Sequence, residues 1–176
     1  MSENKRKFKY LVGGKDVSNK ALEPYNKEVC NFLDDFSKML FKEKKVKEYS
    51  DLKTLAFWCR KSQILKFKSK FPLTENRMGL GLIFHITPAN IPTNFAYSLI
   101  FGLLTGNSNI VKVPSQEFKQ VEIICKCINR ILKKKYRIIR DMLAIVRYSE
   151  DDSYTKEISK KCNARMIWGG DKTISA

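Results

Sequence analysis

A chain of 176 residues with 43% hydrophobic and 11% aromatic side chains has the size and apolar content of one globular domain, which excludes a disordered or fibrous protein. Its 34 Lys+Arg against 18 Asp+Glu leave a formal charge of +16, enough to draw phosphate, nucleic acid or an anionic surface. The lysines fall mostly on polar faces of expected helices and no arginine-rich stripe interleaves with aromatics, so nucleic acid is the disfavoured partner.

The N-terminus, MSENKRKFKYLVGG, is charged and no apolar segment follows it, so no signal peptide is expected. From Pro24 to about Lys45, Tyr25, Val29, Phe32, Leu33, Phe36, Met39 and Leu40 recur at helical spacing and give one apolar face. A second helix is expected from Ser50 or Asp51, as N-cap, to about Lys68, burying Leu52, Leu55, Trp58, Cys59 and Leu65. Residues 1–78 therefore read as a helical layer, closed by Pro72 and the polar TEN.

After this the rhythm changes. LIFHI (82–86), SNIVKV (108–113), DMLAIVRY (141–148) and ARMIW (164–168) read as short apolar strands, separated by helices in PTNFAYSLIFGLL, QEFKQVEIICKCINRILKK and DSYTKEISKKC. Such alternation implies βαβ units, so the fold class is α/β: a Rossmann-like parallel sheet with flanking helices over residues 79–176, preceded by the helical layer. In the middle helix Val121, Ile124, Cys125, Ile128, Ile131 and Leu132 form the apolar face. Ser115 is its expected N-cap, and Lys133 to Lys135 suit the negative end of its dipole. His85, Thr87, Asn90 and two prolines interrupt the most apolar run, which falls short of the roughly 20 residues that cross a bilayer.

Five cysteines stand at 30, 59, 125, 127 and 162 without a Cys-x-x-Cys pair, and Cys125 and Cys127 diverge on their helix. Neither a metal nor a disulfide framework is expected, and reduced thiols of a cytoplasmic protein fit. His85, alone in an apolar strand with no Ser, Cys or Asp partner suggested by spacing, reads as a hydrogen-bonded core residue.

In an open α/β sheet ligands sit beyond the carboxyl ends of the strands, where ITPANIP forms one such turn. Pro88 ends the strand and Pro92 fixes the chain in the first turn of the following helix. Asn90 between them either caps local backbone or aims its amide N–H into the cleft, where it would stabilise an oxyanion; spacing leaves both open. Lys112 ends a buried strand, and either snorkels outward or meets an anion. Gly169 and Gly170, just after an apolar strand, let backbone N–H groups approach an anion without a Cβ in the way.

The stretch GLGLIFHITPANIPTNFAYSLIFGLLTGNSNIVKVPSQ resembles the corresponding segment of the bacterial long-chain acyl-CoA reductases, the fatty-acid reductases known from luminescence, within the aldehyde dehydrogenase superfamily. The resemblance runs from about Gly79 to the end. It implies that Asn90 of ITPAN holds the thioester oxygen, with Thr87 and Pro88 of that block at the cofactor. It also implies that Lys112 of IVKVPS contacts the adenosine ribose, and that Gly169 and Gly170 of WGGDKTI lie at the pyrophosphate. Relatives that use NAD carry a glutamate three positions after this lysine. Here that position is Ser115, which leaves room for a 2′-phosphate, so NADP(H) is implied, with NAD(H) the alternative because Glu117 is close.

The implied activity is reduction of a fatty acyl thioester to an aldehyde through a cysteine acyl-enzyme, with acyl-CoA or an acyl-carrier thioester as substrate. No cysteine here matches the nucleophile's place, and relatives carry it in a second α/β domain. The sequence therefore reads as an incomplete aldehyde-dehydrogenase-type domain, a fragment or half of a split gene, partnered by a complementing C-terminal half or as a homo-oligomer. A further departure is SEDDS after DMLAIVRY, where relatives place glycines near the cofactor. A non-catalytic remnant or regulatory half-domain is the competing reading, with a basic nucleic-acid-binding module behind it.

Overall fold

The structure, a computed structural model, describes residues 8–71, 77–149 and 152–169. In chain order the elements are β1 (Lys9–Val12), α1 (Lys27–Lys42), α2 (Ser50–Trp58), α3 (Lys61–Lys70), β2 (Leu82–Ile86), α4 (Asn94–Leu104), β3 (Ser108–Lys112), α5 (Lys119–Leu132), α6 (Arg137–Asp141), β4 (Leu143–Arg147), α7 (Asp152–Lys161) and β5 (Ala164–Ile167). The five strands make one sheet in the order β1-β4-β3-β2-β5. β4, β3, β2 and β5 run parallel, and β1 joins β4 antiparallel. This is the α/β, mostly parallel arrangement that the alternating pattern implies.

Successive strand residues turn to opposite faces. Val111, Leu143 and Ile145 share one buried cluster with Val29, Phe32, Phe36 and Leu40 of α1, Leu99 and Leu103 of α4, and Ile124 and Ile128 of α5. α7 lies across the opposite face, where the Tyr148 and Thr155 hydroxyls meet at 2.8 Å and Phe8 stacks on Tyr148. Both faces are covered, as a parallel sheet requires.

One element was unforeseen and three local expectations are corrected. Residues 9–12 form an edge strand that no alternation in KYLV announces; its place depends on the open edge of β4, which a four-residue stretch does not encode. The helix expected over 50–68 is two helices. Arg60 is extended (φ −61°, ψ 139°), and α3 restarts at Lys61, whose N–H donates to Asp34 Oδ1 of α1 at 2.9 Å, a cap supplied from 27 residues away. Ser115 is not a helix cap: α5 begins at Lys119 after an extended Phe118, leaving 113–118 as a loop over the sheet's edge. Pro92 lies two residues outside α4, which starts at Asn94.

Candidate functional site

From β2 the chain proceeds to β3 and then β4 on one side, and returns through α7 to place β5 on the other side of β2. The gap between the carboxyl ends of β2 and β5 is thus the switch point of the sheet, the position at which open α/β sheets bind their ligands. Register fixes the level of these turns, because Ile86 stands opposite both Lys112 and Ile167. Two hydrogen bonds then lash the three strand ends together. The Trp168 N–H donates to Ile86 O at 3.0 Å, and the Thr87 hydroxyl donates to Lys112 O at 2.8 Å.

The residues singled out in the sequence accordingly leave one edge of one sheet. Thr87 is buried and Pro88 half-buried; Asn90 is exposed in the turn leading to α4. Gly169 is exposed just past β5, and Gly170 lies outside the described residues. The Lys112 ammonium sits 4.6 Å from the centroid of the Tyr148 ring, a cation–π contact at the strand end. Ser115 borders a hollow of about 630 Å³ at the ends of β3 and β4, which Glu117, Arg147 and Lys9 also line. Thr87 and Lys112 are in contact; Asn90 and Ser115 leave the same edge from different strands.

Beneath the switch point lies a buried chain of hydrogen bonds. Trp168 Nε1 donates to Ser98 Oγ at 2.9 Å, and Ser98 Oγ lies 2.7 Å from His85 Nδ1. His85 Nε2 lies 2.8 Å from Asn109 Oδ1, while Asn109 Nδ2 donates to Asn107 O at 2.6 Å. Because the Asn109 amide N–H is committed, its oxygen must accept, so the proton of His85 sits on Nε2 and Ser98 donates to Nδ1. Burial holds the imidazole down at a pKa of about 4, against the partial support of Asn109, so the ring is neutral and fully partnered. His85 is the hydrogen-bonded core residue expected of it, with a serine partner that spacing did not suggest. Gly102 of α4 makes room: a Cβ there would run into Asn109 Oδ1 and stand 3.0 Å from His85 Nε2.

Other polar groups are less well served. Asn94 Oδ1, at the start of α4, is buried and finds no hydrogen-bond partner among the described residues. The same holds for Nε and Nη2 of Arg147, whose Nη1 donates to Glu117 Oε1 at 3.2 Å. Asn94 Oδ1 near the Asn90 turn therefore lacks a donor, and two guanidinium nitrogens near Ser115 lack acceptors, among the described residues. Sequence reasoning passed over Ser98, Asn109 and Arg147. The signal available was a polar residue inside each of three apolar runs, YSLIFG, SNIVKV and LAIVRY.

Burial pushes the Cys125 thiol up to about 12 and the Cys127 thiol up to about 11, and raises Cys59 as well, so none of the three is a thiolate at neutral pH. Among the described residues no group of three or more His, Cys, Asp or Glu is placed to hold a metal ion, and no helix is long and apolar enough to cross a membrane. A family model described as LuxC, acyl-CoA reductase, matches residues 16–176. No curated protein and no solved structure matches the chain.

Proposed function

The chain belongs to the acyl-CoA reductase (LuxC) family, and from that premise we propose that the carboxyl edge of its sheet holds the nicotinamide dinucleotide for reduction of a fatty acyl thioester to an aldehyde. The observation that carries the reading is the switch point: the Thr87–Asn90 turn and the Trp168–Gly169 turn leave β2 and β5 side by side, tied through Ile86 and Lys112. The cofactor, when bound, supplies the hydride.

The chain's own residues bind and orient. Gly169 and Gly170 admit the pyrophosphate to backbone N–H groups, as glycines can. Lys112 holds the adenosine ribose, and Ser115 in place of a carboxylate favours NADP(H) over NAD(H). Thr87 spends its hydroxyl on Lys112 O, so it keeps the cofactor-facing turn, with Pro88, at a fixed height above the sheet. Asn90 donates its exposed side-chain amide to the thioester oxygen, where negative charge develops. Burial keeps the Cys59, Cys125 and Cys127 thiols protonated, so none of these three is suited to take the acyl group from coenzyme A or a carrier.

Trp168 reports the test. With Trp58 replaced by Phe, NADPH should quench the remaining indole saturably, and Lys112→Ala should weaken the binding by about tenfold through loss of one charge-assisted contact. A wild-type chain that shows no saturable quenching by NADPH or NADH at millimolar concentration overturns the reading.

A further inference from the structure

We infer that Arg147, Lys9 and Ser115 form a subsite for a phosphate monoester carried on a nucleotide ribose, and that Glu117 occupies it until that ligand arrives. The inference rests on the cofactor reading above and adds to it the residue that discriminates between phosphorylated and unphosphorylated ribose.

Two independent observations converge on the place. The first is the state of Arg147. Its side chain is only 12% exposed, yet of its three guanidinium nitrogens only Nη1 has a partner among the described residues, Glu117 Oε1 at 3.2 Å. Nε and Nη2 are buried and find none among the described residues. A guanidinium out of water with most of its N–H groups unmatched is costly, and native structures keep such a group where a ligand completes it. The partner it has is a poor one: Glu117 is 74% exposed and contributes a single bond, so water screens the pair.

The second observation is the strand pairing. Lys9 of β1 stands directly opposite Arg147 of β4 in the antiparallel ladder, so two cations face each other across the pair, an arrangement that disfavours the strand unless an anion sits between them. Lys9 and Arg147 both border the hollow of about 630 Å³ that Ser115 and Glu117 complete. Among the described residues Glu117 is the one carboxylate bordering it. Glu122 lies in the neighbouring hollow and pairs with Lys119 at 3.1 Å.

A phosphate monoester fits what this hollow lacks. It is doubly charged near neutral pH, it presents several oxygens to the fork of an arginine, and it accepts from a serine hydroxyl. Binding displaces Glu117, which has open solvent to swing into. Ser115 lies on the loop 113–118 that follows Lys112, so the hollow borders the segment to which the cofactor reading assigns the ribose. That geometry suits a phosphate on the ribose ring. The 2′-phosphate of a nicotinamide dinucleotide and the 3′-phosphate of coenzyme A share this chemistry.

Calorimetric titration of the full 176-residue chain with 5′-AMP, 2′,5′-ADP and 3′,5′-ADP tests the inference and separates the two sources. One bisphosphate should bind at least about tenfold more tightly than 5′-AMP, the gain of two charge-assisted contacts. The preferred isomer names the source, the 2′ form for the dinucleotide and the 3′ form for coenzyme A. Arg147→Gln should abolish the preference and leave 5′-AMP unchanged. Glu117→Gln, which frees the guanidinium without disturbing the sheet, should strengthen bisphosphate binding by about threefold and guards against a folding defect in the arginine variant. Equal affinity for all three ligands in the wild type, or bisphosphate affinity unmoved by Glu117→Gln, overturns the subsite. Failure of the cofactor reading looks different: the bisphosphate preference survives while Lys112→Ala leaves 5′-AMP affinity untouched.

Discussion

His85 and Arg147 both lie on the sheet face covered by α4 and α5, in strands separated only by β3, and the fold treats them in opposite ways. His85 is fully buried, and both ring nitrogens are matched, one by Ser98 and one by Asn109, with a glycine opposite to make the room. Arg147 has one nitrogen matched by an exposed surface carboxylate and the others by nothing described. A satisfied polar cluster stabilises and specifies one arrangement of the core, while an unsatisfied one at the rim of a cavity has donors left to offer a ligand. The same face thus holds one polar group that is fully matched within the architecture and one that the proposed subsite assigns to recognition.

The contrast breaks first at His85. Replacing it by Ala empties a buried site and orphans Ser98 and Asn109 together, and urea denaturation should show a loss of about 3–5 kcal/mol. A loss under about 1 kcal/mol would mean that the network relaxes around the gap and is not architectural. Acid should act on the same group. Its pKa falls from 6.5 to about 4 on folding. Above pH 6.5 both states are neutral and stability does not depend on it. As pH drops toward 4 the unfolded chain takes up a proton that the folded chain refuses, and stability falls by roughly 1.4 kcal/mol per unit. His85→Ala should remove that slope from a denaturation series run at pH 7, 6, 5 and 4.5.

Trp168→Phe deletes one N–H from the chain and trims a partly exposed indole to a phenyl, so a smaller cost of about 1 kcal/mol is expected. The informative part is where it appears: hydrogen exchange of the Trp168 backbone amide, which bonds Ile86 O, should quicken relative to amides of α1. Arg147→Gln should do least to stability, within about 1 kcal/mol in either direction, because the charge removed was already poorly matched. A loss as large as that of the His85 variant would place Arg147 in the architecture and erase the distinction drawn above.

The parallel strands could be read from the chain almost to the residue. LIFHI, SNIVK, LAIVR and ARMI are short apolar runs bounded by turns, and a strand buried on both faces has that signature whatever its neighbours. The turns beyond them were legible for the same reason, since Pro88, Asn90 and Gly169 interrupt the pattern where strands end. Pairwise chemistry was not legible. That Ser98 meets His85 follows from the angle at which α4 crosses β2, and that Asp34 caps α3 follows from how α1 lies beside it. Ser115 shows the limit from the other side: its local sequence suits a helix cap, but the chain first crosses the sheet edge and starts α5 four residues later. Arg147 passes unremarked inside the strand LAIVR, and only its two nitrogens left unmatched among the described residues mark it out.

By itself, then, the sequence determined the α/β class, the strands and the turns at their carboxyl ends, because hydrophobic periodicity and turn chemistry are local properties written in consecutive residues. The tertiary structure alone decided that β1 lies beside β4, that Lys9 faces Arg147, and that a neutral histidine links Trp168 to Asn109 under the crevice. These depend on which elements become neighbours across tens of residues, where the deciding quantity is whether each buried polar group finds its partner.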